Sequence, residues 1–333
     1  MNRDRSIDFM KTILVFGMIE AHVIQFLGDK LNKLQYINSM FINLITFSGF
    51  MFCFGYVSNI VYLKKADNGI IKQKLLKNFI RILISFYISG IAYTILVEKK
   101  FSMLELMKII FLFKIPGYSE FLITFAILNL VTLAFLKQIN YLLENKKALT
   151  LVIIISILAT FIPYQLIKFN QLGLFIGNSR FSCFPLLQYS SYFLIGAYFS
   201  RNRLKYNLKI LFGSCTTLSL FVLYVLIYKK LPSRFPPEAL WILGGSFFIY
   251  MYYLISLFLA KKIKNNFIYF LGENSLDFLI LSNIFLFLVY YFYGNLNLSF
   301  INILIMTLII IFTCYIIIYI KVILSKLRNV YTI

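Results

Sequence analysis

Four polar residues share one apolar stretch near the start of the chain: Asp8, Lys11, Glu20 and His22, the only histidine among 333 residues. Ionisable groups inside a lipid-embedded helix are costly, so each is a candidate for function or for a specific partner. His22 has the chemistry of a general acid–base group, because an imidazole titrates near neutrality. Within hydrogen-bond reach of a hydroxyl it can take the proton and leave a nucleophile. Eleven residues separate Lys11 from His22, about 16 Å of helical rise. One helix can therefore hold a cation near one membrane face and an imidazole near the other. Asp8 and Lys11 are three apart and share a helix face; the simpler reading of this pair is an ion pair that orients the helix entry. Glu20 is two residues from His22, so it points elsewhere, towards another helix. The simpler reading of His22 is a hydrogen-bonded residue at the outer boundary, and both readings stay open on the residues alone.

Two further segments carry candidates. In FLGENSLDFLILSN, residues 270–283, Glu273 and Asp277 are four apart and are expected on one face at the inner start of a span, with Asn283 deeper. Ser275 is suited to capping that helix. Asp277 has no cation near it in sequence and must pair across helices or face a cavity. In KQKLLKNFIRILIS, residues 72–85, Lys74, Lys77 and Arg81 recur at helical spacing. Anchoring at a cytoplasmic membrane surface and contact with anionic lipid account for such a face. A clamp for a phosphate-bearing donor is the functional alternative.

The elements that must position these residues follow from composition. The chain is 61% hydrophobic and 14% charged, against about 45–50% and about 25% in soluble domains. Apolar runs of about 20 residues, matched to a bilayer core roughly 30 Å thick, recur along it. They lack the alternation of barrel strands, so the expected fold is an all-α polytopic integral membrane protein, one transmembrane domain over 1–333. Ten spans are expected near 9–27, 37–63, 79–97, 121–137, 148–166, 184–200, 207–228, 239–259, 267–290 and 299–320. With the N-terminus in the cytoplasm, this division puts 22 of the 33 Lys and Arg on the cytoplasmic side, as the positive-inside bias requires. Both ends are then cytoplasmic. The first run has no small-residue cleavage pattern and is expected to be retained. The stretch 101–115 contains Glu105 and Lys108 and precedes Pro116-Gly117; it is expected as a helix lying at the outer interface. LPSRFPPE, 231–238, is expected to stiffen an outer loop through its prolines.

The formal net charge of +21 is spread over short patches between apolar runs, with no basic domain or zinc-finger spacing, which argues against nucleic acid. Cys53, Cys183, Cys215 and Cys314 form no CxxC pair, so no metal site is expected. No Walker loop is present, which disfavours a nucleotide-driven pump.

RSIDFMKTILVFGMIEAH resembles the first span of the acyltransferase-3 family, membrane acyltransferases that modify cell-surface glycans. That family has a juxtamembrane arginine, ten residues, then a histidine; Lys11 and His22 occupy these positions, and Thr12 stands where a glycine is expected. FIRILISFY resembles the family's basic stretch, with Arg81 at its arginine, and SGF at 48–50 fits its second span. LGENSLDFLILSN resembles its late LGxxSL motif, which often ends in a histidine where Asn283 stands. Ten spans with both ends inside is also the family pattern. The SID opening and LPSRFPPE are similar as well to the heparan-α-glucosaminide type of membrane acetyltransferase. The resemblance implies a bacterial inner-membrane enzyme that takes an acyl group from cytoplasmic acetyl-CoA, or another acyl-CoA, to a hydroxyl of a glycan or lipid-linked sugar. Partners are then the bilayer, acyl-CoA and the acceptor, with no bound cofactor. It implies His22 as base or acyl relay and Lys11 and Arg81 on the donor phosphates; on the residues themselves Lys11 is counted with His22 as catalytic, Lys77 joins Arg81 in the phosphate clamp, and Asp8, Glu20, Ser275 and Asp277 are supporting polar groups. A transporter for a sugar or lipid-linked substrate and a non-catalytic assembly component are the alternatives.

Overall fold

The computed structural model describes residues 4–65 and 69–331. Among them the chain forms the helices α1 (Arg5–Leu27), α2 (Lys33–Val61), α3 (Gly69–Leu96), α4 (Met103–Ile110), α5 (Glu120–Ala134), α6 (Leu136–Glu144), α7 (Lys146–Leu158), α8 (Asn170–Ile176), α9 (Leu186–Arg201), α10 (Leu208–Tyr228), α11 (Ala239–Gly244), α12 (Ser246–Lys262), α13 (Asn266–Glu273), α14 (Ser275–Tyr293) and α15 (Phe300–Tyr331). Each of the ten expected segments overlaps one helix or two successive ones, but the segment expected over 148–166 leaves its helix at Leu158, where α7 ends. By length and composition, six segments among the described residues can cross a bilayer: α2, α3, α10, α11 with α12, α14 and α15. The pair α5–α6, bent by 83°, makes a seventh if it counts as one broken span. At 13 and 16 residues, α7 and α9 are shorter than the roughly 20 residues that a bilayer core needs.

The first helix is central. Asp4 caps it, accepting from the Ser6 amide at 3.0 Å and so satisfying one of the free amides of its first turn. Its buried Ile7, Met10 and Leu14 join a core built largely with α2, α9 and α12. Further along, Val15, Ile19, Val23 and Leu27 join a second core with α3, α14 and α15. The helix that carries Lys11 and His22 is thus held on both flanks.

Close backbone approach fixes two of the contacts. A Cβ on Gly55 of α2 would lie 1.9 Å from the Phe193 carbonyl, and one on Gly196 of α9 would lie 2.0 Å from that of Phe52. Small residues let membrane helices approach this closely, where packing rather than water exclusion must hold them. Gly272 of α13 meets α1 in the same way, with the Asp8 carbonyl 1.9 Å from the place of its Cβ. Thr12 locks this contact: its hydroxyl donates to the Ile268 carbonyl at 2.5 Å and accepts from the Gly272 amide at 3.0 Å.

Both described ends of the chain lie at one end of the bundle, called proximal below. There Arg5 lies over the Tyr269 ring, while Asp277 at the start of α14 pairs with Lys321 late in α15. At the opposite, distal end the Leu298 amide donates to the Leu27 carbonyl at 2.8 Å.

Two local expectations are corrected. The segment 267–290 breaks at Asn274, whose side-chain amide turns back to the Phe270 carbonyl at 2.9 Å. Glu273 and Asp277 therefore end one helix and begin another instead of sharing a face. Asn274, not Ser275, occupies the cap position of α14, and it makes no side-chain cap bond. The helix expected over 101–115 runs only from Met103 to Ile110 and is followed by Leu112 at φ 58°. It leaves Phe101, Met103, Leu104 and Phe113 exposed, as an interfacial element would.

Candidate active site

His22 sits in the distal half of α1 and is oriented by α14. Its Nδ1 is 2.8 Å from Asn283 Oδ1. The Asn283 amide nitrogen donates in turn to the Tyr118 carbonyl at 3.1 Å, so the oxygen is the atom turned to the imidazole. Nδ1 must then carry the proton, and the neutral ring keeps its free lone pair on Nε2. The Tyr118 ring meets the imidazole edge-on at 4.9 Å. A hydrogen-bonded, packed imidazole with one basic nitrogen free is the arrangement a general base needs.

His22 lines a distal cavity of about 390 Å³ with Gln25, Asn43, Thr46, Tyr118, Glu120 and Arg234, between the rings of Phe47, Phe50, Phe121, Phe184 and Phe235. Arg234 reaches in from the loop before α11. Its guanidinium lies over Phe184 at 5.2 Å and Phe235 at 4.7 Å. Burial pushes its pKa down, and the Glu120 carboxylate opposes that shift.

A second, proximal cavity of about 230 Å³ is lined by Lys11, Cys53, Asn78, Arg81 and Ser275 among apolar side chains. Lys11 pairs with the buried Asp8 at 2.8 Å. Arg81 contacts both oxygens of Asp277 at 3.1 Å, the partner across helices that Asp277 required. Phe50 and Phe121 line both cavities. Lys11 and Arg81 thus share one chamber, and His22 faces the adjoining one beyond two aromatic rings. Lys77 is exposed and lines neither chamber. Glu20 accepts from Asn38 at 2.7 Å, away from His22. Among the described residues no three His, Cys, Asp or Glu side chains cluster so as to hold a metal ion.

Comparison with known families decides the class. The acyltransferase-3 family model, described as an acyltransferase domain, matches residues 4–322. The chain belongs to this family. No curated protein and no solved structure matches it. For an acyltransferase-3 protein the membrane location and the transferase class follow from the match together with the helices able to span a bilayer.

Part of this candidate site is not legible in the sequence. In sequence Asn283 lies deep in its span where the family motif often has a histidine, but its pairing with His22 spans 261 positions. Arg234 stands between Pro232 and Pro236, a pattern whose local meaning is loop stiffness and not chemistry. Glu120 begins α5 and carried no motif.

Proposed function

We propose that this acyltransferase-3 protein transfers an acyl group, acetyl in the simplest case, from cytoplasmic acyl-CoA to a hydroxyl of a cell-surface or lipid-linked glycan. In this reading the whole chain acts as one unit of ten spans in a bacterial inner membrane, with the proximal end and both termini cytoplasmic. Lys11 and Arg81 at the proximal mouth attract the donor's phosphates. The thioester enters past Phe50 and Phe121, and the acceptor hydroxyl lies in the distal cavity. His22 Nε2 takes the hydroxyl proton as the oxygen attacks the thioester carbonyl. The tetrahedral adduct then collapses, the carbon–sulfur bond breaks, and the proton passes from His22 to the leaving thiolate. General base help of this kind contributes about 10²–10⁴-fold.

One observation carries the reading: the hydrogen bond from His22 Nδ1 to Asn283 Oδ1, which leaves Nε2 as the basic atom of an imidazole lining a cavity. The test is glycan mass spectrometry of cells carrying His22→Ala at unchanged protein level. Loss of one acyl mass from the surface glycan is expected. Undiminished acylation would remove His22 from the mechanism.

A further inference from the structure

The distal cavity is lined by one side chain of each charge, Glu120 and Arg234, and by no other charged group among the described residues. Neither closes on the other. Among the described residues no ion pair or hydrogen bond joins them, and the buried Arg234 Nε and Glu120 Oε2 have no hydrogen-bond partner. Buried polar atoms left in this way are costly. The Arg234 guanidinium is held in place over two phenyl rings. A carboxylate and a guanidinium therefore face one space, their charges cancelling, with polar capacity unused on both sides.

A group filling that space must accept from Arg234 and donate to Glu120 at once. A hydroxyl does both. A carboxylate would suit Arg234 but meet the like charge of Glu120, and an ammonium would do the reverse. Phe47 and Phe121 line the same cavity and give it apolar wall against which the C–H groups of a ring can pack. Resting on the acyl-transfer reading above, we propose that the acceptor is an uncharged polyhydroxylated ring. Neighbouring hydroxyls bridge Glu120 and Arg234, and a further hydroxyl is left to His22 Nε2.

The test uses the full chain in lipid nanodiscs with acetyl-CoA and two sets of probes: methyl glucoside, galactoside and mannoside, and the matching methyl uronosides. Acetylated product and CoA release are measured separately, and binding of the same probes is followed by saturation-transfer NMR. The neutral glycosides are expected to be preferred at least about tenfold in kcat/KM and in binding, a difference of about 1.4 kcal/mol. Glu120→Gln should raise the uronoside-to-neutral ratio at least about tenfold, and Arg234→Gln should lower it. A purely structural role would not move this ratio, so a shift in the stated direction by either variant decides the matter if the other fails to fold. Equal or better use of uronosides by the native protein, an unmoved ratio, or binding of neither set would overturn the proposal. Absence of CoA release by the native protein would count against acyl transfer itself, while the binding arm still decides the nature of the ring.

Discussion

Asn283 Oδ1 lies 2.8 Å from His22 Nδ1, and the same amide is held through its nitrogen by the Tyr118 carbonyl. Three segments far apart in sequence thus set the tautomer of one imidazole. Asn283→Leu should lower kcat about 10–100-fold, by analogy with the loss when the partner that orients a metal-ligating imidazole is removed, with little change in the KM for acyl-CoA. Asn283→Asp can still accept from Nδ1 but cannot donate to Tyr118, so it should fall between Leu and the native residue. Steady-state kinetics on the purified variants checks both, and native kcat in Asn283→Leu would refute the orienting role.

The proximal cations make a separate prediction. Lys11 and Arg81 line one chamber, already paired with Asp8 and Asp277. If they receive donor phosphates, Lys11→Ala and Arg81→Ala should each raise the KM for acetyl-CoA about tenfold, or about 1.4 kcal/mol. The KM for S-acetylpantetheine, which lacks phosphate, should hardly change. Lys77→Ala should leave both values near native, because that side chain is exposed and outside the chamber. A loss that was equal for both donors would assign the two cations to structure.

Much of the scaffold was legible because apolar runs of membrane length leave few alternatives to helix. Lys11 and His22 were legible because charge inside such a run is rare. The breaks at Asn274 and between α5 and α6 were not: the first rests on a side-chain amide turned back to the Phe270 carbonyl, and the second falls at Phe135, where no glycine or proline marks it. Thr12 shows the limit well. In sequence it is a departure from a family glycine; in the fold its hydroxyl joins α1 to α13 at two backbone atoms. Glu120 and Arg234 are not legible in sequence because their meaning lies in a shared cavity, which no local pattern encodes.

The distal surface near α4 gives a pH prediction. Hydrogen bonds from Lys108 and then Lys114 hold the Glu105 carboxyl at about 2, well below its ordinary value of 4.5. A carboxylate with a depressed folded pKa contributes stability that is present above its ordinary value and is lost as pH falls towards the folded value. The Tm difference between the native protein and Glu105→Gln should therefore be constant from pH 7 to about 5, then shrink between about 4.5 and 2. A difference that stayed constant down to the lowest pH would show that the ion pairs contribute nothing. The side chain is solvent-accessible, so the effect should also weaken in high salt.

Gly272 provides the strictest test of how α1 is placed. A methyl group there would sit 1.9 Å from the Asp8 carbonyl oxygen and 3.0 Å from the Thr12 hydroxyl. The nearer atom is backbone, so relief requires moving one helix away from the other. Overpacking of this kind costs about 1–3 kcal/mol, and Gly272→Ala should lower the Tm accordingly. The displacement would fall on the turn of α1 that carries Lys11, while His22 is tied at the other end to Asn283. The KM for acetyl-CoA should therefore rise more than kcat falls. Gly213 in α10 is the control, since nothing lies within 4 Å of its would-be Cβ. Gly213→Ala should be neutral or slightly stabilising, because alanine favours a helix by about 1 kcal/mol over glycine. Equal thermal stability of the two variants would mean that α1 and α13 are not in backbone contact at Gly272.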